Sequence, residues 1–295
     1  MKKKKFSKIL IIPDFHQRYN QAAGIINRHT GWGIGKAFDN ISKEIGDFSR
    51  PSHFEPDKVD RVVFLGDAFD GPRDNPEIIQ RMAYLMYELL QHSNFTWIKG
   101  DNDCSYIYKS PIYSRPSFST EKLDIVKLTI GDLLYKNQFA YWTGVTESDP
   151  NGFLLSHAGL HARNSPFNDK YMFNWRVIQY ALDKAHEDAV SGKENKLLHI
   201  PKDRCGGGDY GGITSLNWLE FEPIVGIGQV VGHTYSFEPR EVIDINYHSN
   251  WCLDTNFKHY AILNIEDLTG EGGRDYSVQK LNIYNSDGSK LNCNE

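Results

Sequence analysis

The feature that most constrains this chain is a set of short apolar runs, each halted by an acid, an amide or an imidazole. "KILIIPDFH" runs into Asp14 and His16, and "VVFLGDAFD" into Asp67 and Asp70 after Gly66. "WIKGDND" runs into Asp101, Asn102 and Asp103 after Gly100, "FLLSHAG" into His157 and "VVGHT" into His233. Each run is rich in Ile, Val, Leu or Phe and has the length of a buried strand. Helical stretches separate them. The clearest is "NPEIIQRMAYLMYELLQHS", with Asn75 as a cap, Pro76 at the first helical position and Glu77 in the first turn. Its Ile78, Ile79, Met82, Leu85, Met86, Leu89 and Leu90 recur at three and four, which makes a core stripe and leaves the methionines in need of no cofactor. A second helix is expected from about Asp169 to Val190. Closely spaced strands follow in "NWCLDT", "HYAILNIED" and "YSVQKLNIYN". Strands alternating with helices and then a late run of strands predict a layered α/β or α+β domain. One domain is expected over residues 1–295, with a core of about 8–266 and C-terminal strands at 275–285.

Composition removes several classes. A net charge of -5 argues against holding nucleic acid by bulk electrostatics. The start, "MKKKKFSKILII", has an apolar run only from Ile9 to Ile12 before "PD" breaks it, too short for a signal core. No stretch approaches the roughly 20 apolar residues of a membrane helix. Cys104, Cys205, Cys252 and Cys293 are scattered without a CxxC pair, so neither a disulfide framework nor a zinc ribbon is indicated and a reducing cytoplasm fits best. Two glycine-rich stretches, "RHTGWGIGKAFDN" and "RCGGGDYGGITS", read as long loops. The first has the wrong spacing for a dinucleotide fingerprint, and the second lacks the Lys-Ser/Thr pair of a phosphate loop.

What stands at the strand ends therefore carries the chemistry. Asp14 and His16 are two residues apart, on one side of an extended chain. Ligand sites in open α/β sheets lie beyond the carboxyl ends of strands, where neighbouring ends converge. A single histidine near a strand is ordinarily a satisfied core or surface residue. Five strand ends bearing His, Asp or Asn are another matter. Imidazole and carboxylate without thiolate suit manganese, iron or zinc with open positions, and a carboxylate can bridge two ions. The constellation reads as a two-metal hydrolase site.

The order D-x-H, G-D-x-x-D, G-N-H-D/E, H-A-G and G-H-T resembles the calcineurin-like metallophosphoesterase superfamily, from Ile9 to about Leu263. "GHTY", "CLDTNFKHYAIL" and "RCGGGDYGG" are most similar to the arm that holds the serine/threonine phosphatases, and "GGITSLNWLEFEPIVGIGQVVGHT" to its phage-encoded members. The resemblance implies a β-sandwich flanked by helices, with a dinuclear metal site at the C-terminal strand ends. It implies a first metal on Asp14, His16 and Asp67, and a second on Asp67, Asp101, His157 and His233. Asp70 would orient a catalytic histidine. Arg73, displaced by two residues from the usual Arg-Gly, and Arg204 are the candidate phosphate forks, against the alternative of ordinary surface ion pairs. The ions are expected to be two divalent metals, manganese first and iron or zinc as alternatives. A hydroxide bridging them would attack phosphorus in line with the leaving oxygen.

"GDND" departs from the family pattern. Alone, Asp, Asn and Asp after glycine read as turn chemistry. In the family register Asp101 takes the place of an asparagine ligand, keeping an oxygen donor but adding negative charge. Asn102 takes the place of the histidine that protonates the leaving group, and an amide cannot give up a proton. Losing such an acid typically costs 10²–10⁴-fold. Three readings stay open: substrates with good leaving groups, another acid such as His161, or a silenced site that only binds metal and phosphate. His161 could equally be an ordinary surface histidine. The expected activity is hydrolysis of phosphomonoesters, phosphoprotein included, with nucleotides or cyclic phosphodiesters second. Expected partners are a phosphorylated small molecule, nucleotide or phosphoprotein, with no membrane and no bulk nucleic acid.

Overall fold

The computed structural model describes residues 6–14, 18–34, 58–69, 71, 74–108, 113–167, 173–201, 208–269 and 275–291. Among these described residues, ten strands form two five-stranded sheets. The first contains β1 (Phe6–Ile12), β2 (Arg61–Phe64), β3 (Phe95–Trp97), β9 (His259–Thr269) and β10 (Asp275–Asn285) in the order β10-β9-β1-β2-β3. The second contains β4 (Ala140–Trp142), β5 (Phe153–Ser156), β6 (Gly228–Val231), β7 (Arg240–Ile243) and β8 (Ser249–Cys252) in the order β4-β5-β6-β8-β7. β1, β2 and β3 are mutually parallel, as are β5, β6 and β8. β4, β7, β9 and β10 pair antiparallel.

Alternation along the central strands explains the layering, because successive side chains point to opposite faces. Ile9 and Ile11 of β1 and Val63 of β2 join Leu155 of β5 and Val230 of β6 in the core between the sheets. Leu10, Ile12, Val62 and Phe64 point the other way, into a second core beneath α1 (Tyr19–Thr30), α2 (Pro76–Leu90) and α4 (Thr120–Ile130). The outer face of the second sheet is covered by α5 (Trp175–Val190), where Ile178, Leu182 and Ala185 are buried with Leu154. Each central strand is thus apolar on both faces, which is why it reads as a continuous run. The expected sandwich with flanking helices is the observed architecture.

Asn75 caps α2 as its sequence predicts, accepting from Ile78 N at 3.0 Å. The helix expected from about Asp169 instead begins at Trp175, because Asn174 caps it by accepting from Arg176 N and Phe173 packs beside Trp142. Asp169 itself lies outside the described residues. Arg28, His29 and Thr30, expected in a loop, form the last turn of α1, which Gly31 closes in the left-handed conformation at φ 71°. "DNDCSYI" is not a turn but α3 (Asp101–Ile107), with Gly100 as its N-terminal cap. β4 and β7 were not picked out as strands, since the three-residue "AYW" and the half-exposed "REVI" are not continuous apolar runs. Among the described residues no helix is long and apolar enough to cross a membrane.

Candidate metal centre

Parallel pairing decides where the strand-end residues go. β1, β2 and β3 point the same way, so Asp14, Asp67 and Asp101 emerge along one edge of the first sheet. β5 and β6 deliver His157 and His233 along the matching edge of the second. Asp67, Asp101, His157 and His233 converge, each offering one ligand atom, and those atoms all lie within 4.8 Å of one another. Asp14 stands beside them, with Oδ1 3.6 Å from His157 Nδ1 and Oδ2 accepting from His233 N at 3.1 Å.

The imidazoles are fixed by what surrounds them. His157 is fully buried, and its Nδ1 lies 2.7 Å from the carbonyl oxygen of Leu65. A carbonyl only accepts, so Nδ1 carries a proton and Nε2 is the nitrogen turned to the cluster. Nε2 lies 2.9 Å from His233 Nδ1 and 3.4 Å from Asp67 Oδ2. His233 has a φ of 68°, in a region that a residue with a Cβ occupies at a cost of about 1–3 kcal/mol. Its neighbours hold it there. The Cys252 thiol donates to Gly232 O and Thr234 O at 3.2 and 3.4 Å, Arg240 donates to Thr234 O, and Trp218 N donates to Thr234 Oγ1 at 2.9 Å. Cys252, Arg240 and Trp218 thus clamp the backbone around one of the four converging residues. Cys252 and Trp218 lie in the family-like stretches "CLDTNFKHYAIL" and "GGITSLNWLEFEPIVGIGQVVGHT", but those stretches do not show that the two residues meet the turn at His233.

On the other sheet the organiser is Asp103. Its carboxylate is fully buried and accepts from Asp67 N, Ala68 N and Gly100 N at 2.9 Å each and from Trp97 Nε1 at 3.1 Å. Burial pushes this group up to about 7, yet four N–H donors are arranged around the anion. The last acid of "GDND" therefore ties the β2 and β3 ends together and holds Asp67 in its own left-handed turn at φ 55°. Gly66 and Gly100 allow the approach. Gly66 has φ 106°, and a Cβ there would lie 2.6 Å from Gly100 N.

Electrostatics separates the acids. Burial raises Asp14 well above the usual carboxylate range and Asp67 to about 6, with His157 opposing both shifts. Burial would raise Asp101 too, but His233, His157 and Arg115 together hold it well below that range. His157 is raised well above 6.5 because its acids outweigh its burial. Imidazole nitrogens with carboxylate oxygens are the ligands that divalent ions take. The donor set fits a metal.

The remaining expected site residues divide. Asn102 is at the centre, donating through its backbone N to Asp67 Oδ1 and through Nδ2 to Asp67 Oδ2, each at 3.0 Å. His161 is not one of the four converging residues. It is buried, its Nδ1 accepts from Arg163 N at 3.0 Å, its ring stacks on Tyr210 and burial lowers its pKa. His16, Asp70, Arg73 and Arg204 lie outside the described residues. Sequence reasoning missed Arg115, whose guanidinium pairs with Asp101 Oδ2 in a nearly buried ion pair. The available signal was the extra charge of Asp101, which a buried site must balance.

The family model of the calcineurin-like phosphoesterases matches residues 7–237, well over half of the chain. The chain belongs to that family. No curated protein matches it significantly. Among solved structures it is similar to a calcineurin-like phosphoesterase, YfkN, from Bacillus subtilis, with 11% identity, TM-score 0.40 and coverage of 98% of this chain and 93% of that one. A conserved uncharacterized protein from Streptococcus pneumoniae, a predicted phosphoesterase, gives 10% identity, TM-score 0.34 and coverage of 98% and 95%. The NAD nucleotidase of Haemophilus influenzae gives 11% identity and TM-score 0.37; 99% of this chain but 54% of that one is covered. Membership of the family makes this a metal-dependent phosphoesterase fold with an Asp/His cluster able to bind metal.

Proposed function

We propose that this protein is a phosphomonoesterase that uses two divalent ions, manganese first among them, and that it favours substrates with good leaving groups. The observation that carries the reading is the convergence of Asp67, Asp101, His157 and His233 from four strand ends on two sheets. Asp67, central to the cluster, is the residue we assign to both ions, with Asp14 and His16 completing the first position and Asp101, His157 and His233 the second. When bound, the ions would supply positive charge to phosphate oxygens and an activated water at near-neutral pH.

The chain's own residues supply orientation. Leu65 O fixes the His157 tautomer, Asp103 fixes the backbone of Asp67, and the Cys252, Arg240 and Trp218 contacts fix His233. Asn102 gives hydrogen bonds to both oxygens of Asp67 and has no proton to surrender to a leaving alkoxide. That favours aryl and other acidic leaving groups. It also gives the second reading its support: a module that binds metal and phosphate without turnover. Phosphorylated small molecules, nucleotides and phosphoproteins are the proposed partners, and the cytoplasm the proposed location.

The test is release of p-nitrophenol from the monoester and diester model substrates, after chelation and again after manganese is restored, with metal content measured by elemental analysis. Metal-dependent turnover of the monoester supports the enzyme reading, and tight metal binding without turnover of either substrate supports the binding module. About two ions per chain, with occupancy at both positions lowered in Asp67→Ala, is the expected content. A chain that retains no metal after reconstitution with manganese, zinc or iron refutes both readings.

A further inference from the structure

Asp101 divides its carboxylate between two tasks. Oδ2 is engaged by Arg115 Nη2, in a pair whose side chains are 9% and 7% exposed. Oδ1 faces the cluster, 3.6 Å from both His157 Nε2 and His233 Nδ1. Arg115 is not a drifting surface residue. Its backbone N donates to Ser105 Oγ at 3.1 Å, Ser105 Oγ donates to Tyr113 O at 2.7 Å, and Phe118 N donates to Arg115 O at 3.0 Å. The segment that carries it is therefore fastened to α3, the helix that begins with Asp101. A buried arginine beside a cation-binding cluster is an expensive arrangement, since its charge repels the very ions the acids attract. It needs a reason.

We infer that Arg115 is a positioning and charge-setting residue for the metal centre: it holds Asp101 to one ligating oxygen and offsets its charge, weakening metal binding while keeping the bound ions strongly electrophilic. The inference rests on the metal-centre reading and adds a regulator of its charge. A divalent ion shares its charge with its ligands, so a fully anionic, two-oxygen Asp101 would bind it more tightly and leave it a poorer Lewis acid. With Oδ2 engaged by a guanidinium, Asp101 presents a single oxygen of reduced charge. Arginine suits the task because its planar fork is permanently charged and holds a carboxylate in a fixed orientation.

The sign of the effect separates this role from simple packing. In Arg115→Met, manganese(II) affinity, measured by competition with a chelating dye, is expected to tighten by about 10–100-fold, the size of the usual outer-shell effect but opposite to its usual sign, because here the partner removed is a cation. The kcat for p-nitrophenyl phosphate should fall, while Arg115→Lys, which keeps the charge, should stay near wild type in affinity. A residue needed only for packing would weaken metal binding when truncated, so unchanged or weaker binding in Arg115→Met overturns the inference. If that variant does not fold, the comparison moves to Asp101→Asn, which leaves the buried guanidinium without its carboxylate, and to Asp101→Asn/Arg115→Met, which removes both charges. The double variant should bind manganese at least tenfold more tightly than Asp101→Asn. Equal or weaker binding in the double variant overturns the inference. Wild-type protein in the same series keeps the two readings apart: failure of the wild type to bind manganese refutes the metal centre itself, whereas wild-type binding with the wrong sign in the variants refutes only the role of Arg115.

Discussion

A single methyl group placed at residue 100 tests the geometry of the centre severely. Gly100 has ordinary extended torsions, φ -90° and ψ 176°, so Gly100→Ala introduces no backbone strain of its own. Its effect is steric. A Cβ built there would collide with Asp67 Oδ1 and would lie 2.5 Å from Asp67 N and 2.6 Å from Asp67 Cγ. Ordinary van der Waals contact begins near 3.4 Å, so Asp67 and Gly100 must separate by about 0.9 Å. Because the Asp67 backbone is one of the contacted groups, rotating the carboxylate does not relieve it. Overpacking of this kind costs about 1–3 kcal/mol, and at roughly 2 °C per kcal/mol the melting temperature should fall by a few degrees. The larger effect falls on metal binding. Metal–ligand distances tolerate only about 0.2 Å, and a displacement of order 1 Å can cost about 10²-fold in function. Chelator competition should therefore show manganese affinity reduced by at least about 10²-fold, with melting followed in parallel. Gly24→Ala is the control. Gly24 lies within α1 with nothing within 4 Å of the added Cβ, so alanine there should raise stability by up to about 1 kcal/mol and leave metal affinity alone. Wild-type metal affinity in Gly100→Ala would refute the assignment of Asp67 as a ligand held against the Gly100 backbone.

Three further outcomes are expected. Asn102→His should raise turnover of alkyl phosphates by about 10²–10⁴-fold and affect aryl phosphates least; equal effects on both series of substrates would show that residue 102 does not protonate the leaving group. Asp149, buried ahead of β5, accepts from Val145 N, Asn151 N and Ser277 N at 3.1 Å and from Ser277 Oγ at 2.7 Å, joining β10 to the turn that precedes β5. Asp149→Ala should cost about 2–4 kcal/mol in thermal unfolding without altering manganese affinity, and a change in affinity at unchanged stability would contradict this purely structural role. Lys99 is buried with its ammonium 4.1 Å from the centre of the Phe139 ring, and burial lowers its pKa from 10.5 to about 8. The charged form is disfavoured in the fold, so wild-type stability should rise as pH climbs from about 8 to 10.5, where the unfolded chain still binds the proton. Lys99→Met should therefore be the more stable protein at pH 7, with a gain that shrinks across that interval; a gain independent of pH would refute the account.

The sequence by itself determined the buried strands, the capped helix from Pro76 and the acids and imidazoles of the centre. These are local facts. An apolar run on both faces, a Pro behind an Asn, and a glycine before an acid each leave a periodic or positional mark within a few residues. The family pattern gave roles to Asp101 and Asn102, already legible at a strand end, and flagged both as departures. Only the tertiary structure decided what those departures mean. Asp101 is balanced by Arg115, fourteen residues later, through an ion pair that no spacing rule encodes. Asp103 serves the backbone of a different strand, and its four donors come from residues 67, 68, 97 and 100. His233 is held in a left-handed turn by Cys252, Arg240 and Trp218, whose contact with its backbone no spacing within their own segments encodes. β4 and β7 exist because a neighbouring strand offers its open edge, a contact their three and four residues cannot announce. Periodicity reports which face of an element is buried, because burial acts on every residue of that face. Charge balance, tautomers and strained turns depend on single contacts between segments distant in sequence, and those come into being only when the two sheets close on each other.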